Sequence, residues 1–141
     1  MNSWLAGIWN GKPQAGTNGS NQGDGKRYNE FFKYADIKEP PPTDVWLFVD
    51  EHPDGINDGW LAVRMNSNGQ AYWRDLPASY HIGACGFTFA DGHADIHRWL
   101  GDDTRHPIKR VYNSFNFFAR TEKSKQDYYW FKDHSTALTV K

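Results

Sequence analysis

The chain has 141 residues, 16 Lys and Arg against 17 Asp and Glu, and a net charge of −1. That length suits a single domain, residues 1–141, with a real core. Balanced charge with no basic block argues against a dedicated nucleic-acid binder or a charged membrane-surface module. Aromatics make up 16% of the residues, with seven Trp and seven Tyr, which predicts a core of rings with sheet dominant over helix. Cys85 is the single cysteine, so no intrachain disulfide can form. No stretch approaches the ~20 apolar residues of a membrane span, so the chain as given is expected to be soluble, without membrane contact.

In chain order, Met1 to Trp9 is a short apolar opening, and 11–25 is a Gly-rich stretch that reads as an exposed loop. Arg27 to Ile37 is extended or weakly helical, packed by Tyr28, Phe31 and Phe32. Pro40, Pro41 and Pro42 predict a stiff polyproline spacer. Val45 to Asp50 (VWLFVD) is apolar on both faces and predicts a central, doubly covered strand. Trp60 to Met65 predicts another strand, and Asn68-Gly69 a tight turn into Ala71 to Arg74. Gly86 to Ala90 and His93 to Trp99 form a hairpin around Asp91-Gly92, a dipeptide suited to a two-residue type I′ turn. In that register Phe89 faces Ala94 and Phe87 faces Ile96. Phe87, Phe89, Ala94 and Ile96 then share an apolar face, and Thr88, His93, Asp95, His97 and Trp99 share the other. Phe115, Phe117 and Phe118 are expected in the core. Ser124 with Asp127 three residues on resembles a capping box, followed by a short helix carrying Tyr128 and Phe131. The expected fold is α+β: an antiparallel meander of about five strands with a short C-terminal helix.

His81, nine intervening residues, then Asp91-Gly92 resembles the H-X9-DG signature of pilin-like proteins of Planctomycetes and Verrucomicrobia, which are similar to type II secretion pseudopilins with a prepilin-type cleavage/methylation segment. Asn2-Ser3-Trp4-Leu5, Phe48 to Gly59, Leu76 to Trp99 and Asp127-Tyr128-Tyr129-Trp130 match in order, so the resemblance covers most of the chain. It implies a pilin-like globular head without the long N-terminal apolar helix of the family. It also implies protein partners in a pilus or secretion filament, and a cell-envelope or extracellular location for the full-length pattern.

Two chemistries compete with a structural role. Asp50, Glu51, His52, Asp54 and Asp58 crowd one loop, and loop ends carry function more often than strand middles. If His81, Asp91 and His93 approach Asp50, these four residues make a divalent-metal site, Ca²⁺ by carboxylates alone or Zn²⁺ with imidazole, and with it a metal-dependent hydrolase. Neither an EF-hand loop nor a paired Cys/His motif is present. The structural account is that Asp50, Asp54 and Asp58 cap turns. A glycoside hydrolase or glycan-binding protein needs two carboxyl groups roughly 5–10 Å apart. Asp50 or Glu51 with Asp91 would supply that pair, and Trp60, Trp73 or Trp99 a sugar platform. His93, Asp95 and His97 cannot all reach one ion, because strand residues four apart lie about 13 Å from each other. His81 is expected to pack on the Asp91-Gly92 turn and lock the hairpin.

Overall fold

The computed structural model describes residues 1–5, 7–9, 12–14, 28–65 and 70–139. Most of the Gly-rich stretch 11–25 and the Asn68-Gly69 turn lie outside the described residues. Strands β1 (Gly7–Trp9) and β2 (Lys12–Gln14) pair antiparallel near the start. A 3₁₀ turn covers Tyr34–Asp36. Strands β3 (Trp46–Val49), β5 (Ala84–Phe89) and β6 (Ala94–Arg98) form an antiparallel sheet in the order β3-β5-β6. Strand β4 (Tyr72–Trp73) pairs with β7 (Phe117–Phe118) in a separate ribbon, and helix α1 spans Glu122–Asp133. The fold is α+β, with antiparallel sheets and one short C-terminal helix.

The strands are distributed differently from one five-stranded meander. Trp60 to Met65 does not join a ladder, although Leu61, Ala62, Val63 and Met65 are all buried. Its amides bond elsewhere: Leu61 N–H to the Met1 carbonyl, Ala62 N–H to Asp75 and Val63 N–H to Ser3. A continuous apolar run is compatible with any fully buried extended segment, so composition alone cannot place it in a sheet. Strand β3, predicted to be central, is an edge, and β5 takes the middle. Phe48 on β3 is accordingly 55% exposed. The triple proline folds back as a turn, with the Asp44 and Val45 amides donating to the Pro41 carbonyl.

The hairpin is shifted by one residue. Phe89 N–H donates to the His93 carbonyl and Gly92 N–H to the Phe89 carbonyl, enclosing a three-residue loop, Ala90-Asp91-Gly92. Of the loop residues only Gly92 has positive φ, at 97°. That is a turn closed by a left-handed glycine bulge, and the type I′ turn is excluded because it would need Asp91 left-handed too. Phe87 therefore pairs with Asp95 and Cys85 with His97. A one-residue slip moves every side chain of the returning strand to the other face. His93, Asp95, His97 and Trp99 share the face of Phe87 and Phe89, and Ile96 lies on the opposite face, 70% exposed.

Helix α1 covers the Phe87 face. It starts at Glu122, ahead of the Ser124 expected to cap it, because Thr121 accepts the Ser124 amide and caps the first turn. Ser124 and Asp127 are both buried inside the helix instead. Asp127 accepts the Leu100 and Gly101 amides, tying the helix to the chain leaving β6. Gly101 is obligatory there, because any Cβ would overlap Ser124. Trp46 stacks on Phe131 at 4.9 Å, and Phe87 meets Trp130 edge-on at 5.2 Å. Trp73, Trp99 and Tyr128 complete the ring core. Trp4, Trp46 and Trp99 send their indole N–H groups to Val63, Ser135 and Ala78, so these three rings fill space while their polar edges stay paired. The buried Trp73 N–H has no hydrogen-bond partner among the described residues. Phe115 is buried as expected, and Phe118 is exposed on its short ribbon.

Candidate functional site

The acidic loop after β3 is mostly architecture. His52 is fully buried; its Nδ1 accepts the Asp54 amide at 3.2 Å, so Nε2 carries the proton and donates to the His106 carbonyl at 3.0 Å. Burial holds its pKa below the usual histidine value. The buried Asp54 carboxylate accepts the amides of Lys109 at 2.7 Å and Arg110 at 2.8 Å, and these bonds hold it below the ordinary aspartate range. Together the two residues clamp segment 106–110 onto the loop. Asp58 accepts the Trp60 amide at 2.7 Å in a local turn.

The remaining candidates separate into two pairs. Asp50 lies beside His81, Oδ2 to Nε2 3.7 Å, and accepts the Tyr80 hydroxyl. Asp91 bonds His93, Oδ1 to Nδ1 2.5 Å, and also accepts the His93 amide at 3.1 Å. The His93 ring lies flat on Phe89 at 4.3 Å. Val49 pairs with Phe87, which sets Asp50 level with Gly86, and Asp91 follows at the far hairpin tip. Five strand residues separate the two pairs, about 16 Å at ~3.3 Å per residue. Asp50, His81, Asp91 and His93 therefore do not converge, and Asp91 lies beyond glycosidase distance of Asp50 and Glu51. His81 does not pack on the Asp91-Gly92 turn either; His93 occupies that place, because β5 runs its full length between His81 and the turn. Among the described residues, no three His, Cys, Asp or Glu side chains are arranged to hold a metal ion.

Glu51 is different in kind. Its Oε1 is buried without a hydrogen-bond partner among the described residues, beside Gly55, where an added Cβ would lie 3.4 Å from it. Burial, with Asp75 and Asp58 nearby, raises its pKa to about 8. Asp75 is also raised, by burial, while accepting the Ala62 amide. Along the H-x-D-x-H strand, Asp95 accepts the Ile96 amide and His97 stacks on Trp130 at 3.5 Å, with His134 on that same indole at 4.2 Å. Burial lowers the His97 pKa to about 4, so this imidazole is neutral packing. Burial also pushes the Cys85 thiol far above its ordinary value.

Two of the surface hollows lie beside the candidate residues. Between β3, β5 and β6, on the face away from α1, a shallow cavity of about 400 Å³ lies among Phe48, Gly86, Thr88, Ala94 and Ile96. The second, of about 600 Å³, runs between the Ser79–Gly83 turn and the 105–108 loop, with Arg98 and Arg105 in its walls. Sequence reasoning passed over this groove, although a signal was available: residues 104–121 contain Arg105, Lys109, Arg110 and Arg120 and no Asp or Glu, a segregation hidden by the balanced total.

No family model, no curated protein and no solved structure matches this chain. Among the described residues, no helix is long and apolar enough to cross a membrane.

Proposed function

We propose that this chain is a pseudopilin-like structural and interaction domain of an envelope-associated filament or secretion apparatus. The observation that carries the proposal is the open face of the three-stranded sheet, where Phe48 and Ile96 are 55% and 70% exposed across the side-chain-free strip at Gly86. Large apolar groups clustered on a sheet face mark contact with another surface. The spacing of His81, Asp91 and Gly92 supports the pilin-like assignment, and the scattering of the candidate carboxylates favours contact over catalysis. A photo-reactive residue placed at position 48 or 96 in the source cell tests it. Adducts with pilus or secretion subunits are expected; their absence at both positions would remove the reading.

Glu51 favours a second reading, a glycoside hydrolase, because a carboxyl group with its pKa raised to about 8 stays protonated at neutral pH, as a general acid must. Turnover of chromogenic glycosides, lost in Glu51→Gln, is the expected result under that reading. Equal rates in both proteins would dispose of it.

A further inference from the structure

We propose that the groove between the His81–Ala84 turn and the 105–108 loop docks an acidic peptide segment of a partner protein, with Ile82 as the apolar anchor. The inference starts from a residue in the wrong place. Ala84 N–H donates to the His81 carbonyl at 3.1 Å, closing a tight turn whose central residues, Ile82 and Gly83, have φ of 54° and 76°. Glycine adopts that conformation freely, and asparagine readily; a β-branched residue is an outlier there. Burial does not compensate, because Ile82 is 85% exposed. Neither backbone preference nor the protein's own core accounts for an isoleucine at this tip. Strain of this kind concentrates at functional sites, and here it holds an aliphatic side chain out toward solvent.

The surroundings define what would cover it. Tyr80 and Ile108 extend the apolar rim, and Arg98, Arg105 and His106 line the groove. Gly83 lets Arg105 cross the turn closely, since a Cβ there would lie 3.0 Å from the Arg105 side chain. Asp102 pairs with Arg105 at 2.5 Å and is the only acid in the lining. Arg98 makes no ion pair with the described residues. A guanidinium fork matches a carboxylate in two parallel hydrogen bonds, so the wall complements Asp or Glu side chains. The His52 and Asp54 clamp fixes the 106–110 backbone in advance, which lowers the ordering cost of binding. A single exposed aliphatic tip beside that Arg98 guanidinium suits a polypeptide segment that carries an apolar and a carboxylate side chain together.

The proposal concerns a different surface from the open sheet face and stands apart from the filament reading. It is tested by panning the full chain against a phage-displayed library of random dodecapeptides. Enriched sequences are expected to combine Asp or Glu with an aliphatic or aromatic residue, and to bind more weakly as salt rises. For a selected peptide, Ile82→Asn and Arg98→Ala are each expected to weaken binding about tenfold or more, as loss of an anchor does. Lys123→Ala, on the exposed side of α1, should leave it unchanged. Ile82→Asn is also expected to raise Tm by about 3 °C or more, which shows that the variant folds. No enrichment, selection of peptides without carboxylates, or binding indifferent to both variants would overturn the proposal. So would Ile82-dependent co-sedimentation with phosphatidylserine vesicles, or displacement of the groove's partner by inorganic polyphosphate but not by acidic peptide.

Discussion

Strand β5 is bracketed by two tight turns that use their residues in opposite ways. At the hairpin tip, glycine takes the left-handed position, Asp91 accepts the His93 amide, and the His93 ring rests on Phe89. Every local choice agrees with the backbone. At the other end, isoleucine takes a left-handed position and its side chain stays in solvent. Agreement between residue and backbone is what a structural turn needs, and a local violation without compensation marks a place selected for something else. The comparison moves functional interest from the Asp91-Gly92 end, where the histidines and carboxylates drew attention, to the His81–Ala84 end.

The largest expected effect lies in the clamp behind the second turn. His52→Ala leaves the Asp54 amide and the His106 carbonyl without partners and opens a cavity, which should cost about 3–4 kcal/mol in denaturant unfolding. Peptide binding at the groove should weaken with it, whereas a clamp unrelated to the groove would leave binding untouched. Next comes the face between the turns. His97 has a folded pKa of about 4 against 6.5 in the unfolded chain, because burial disfavours its charge. As pH falls below 6.5 the unfolded chain takes up the proton first, so stability declines until about pH 4 and then levels off with respect to this group. Allowing for solvent screening of the partly exposed ring, the loss should be about 2 kcal/mol. The difference between wild-type and His97→Gln unfolding curves across that range measures it, because Glu51, raised to about 8, contributes a slope of the opposite sign to both proteins.

The two turns themselves should respond with opposite signs. Gly92→Val places a β-branched residue at φ 97°, with nothing within 4 Å of its Cβ to clash or to pack, so backbone strain alone should cost about 1.5 kcal/mol. Ile82→Asn relieves the same kind of strain and should gain about 1 kcal/mol. If both substitutions destabilise, the contrast between the turns is lost.

Strand β3, the β5–β6 hairpin and the C-terminal helix were legible in the sequence because each rests on a local pattern: VWLFVD, a turn dipeptide between alternating runs, Tyr128 and Phe131 at helical spacing. Trp60 to Met65 carries the same kind of apolar run and joins no ladder, while the short strands β1, β2 and β7 have no such pattern. Register was not. Asp91-Gly92 is compatible with a two- or a three-residue loop, and the single-residue difference carried His93, Asp95 and His97 from the open face to the face under α1. Convergence of the candidate ligands was also beyond reach, since it depends on where Asp50 falls along β5. His52 and Asp54 looked like site residues because buried struts and metal ligands draw on the same side chains; their partners, the 106–110 backbone groups, leave no trace in composition. The groove itself could have been suspected from the acid-free segment 104–121. Ile82-Gly83, by contrast, became conspicuous only once its backbone angles were known.

The most direct measurement is calorimetric melting of the wild type and Ile82→Asn, each with and without the selected acidic peptide. The account predicts that free Ile82→Asn melts higher than free wild type, and that the peptide raises the wild-type midpoint while leaving the variant's nearly unmoved. A variant that melts lower, or a peptide that lifts both proteins equally, would contradict it.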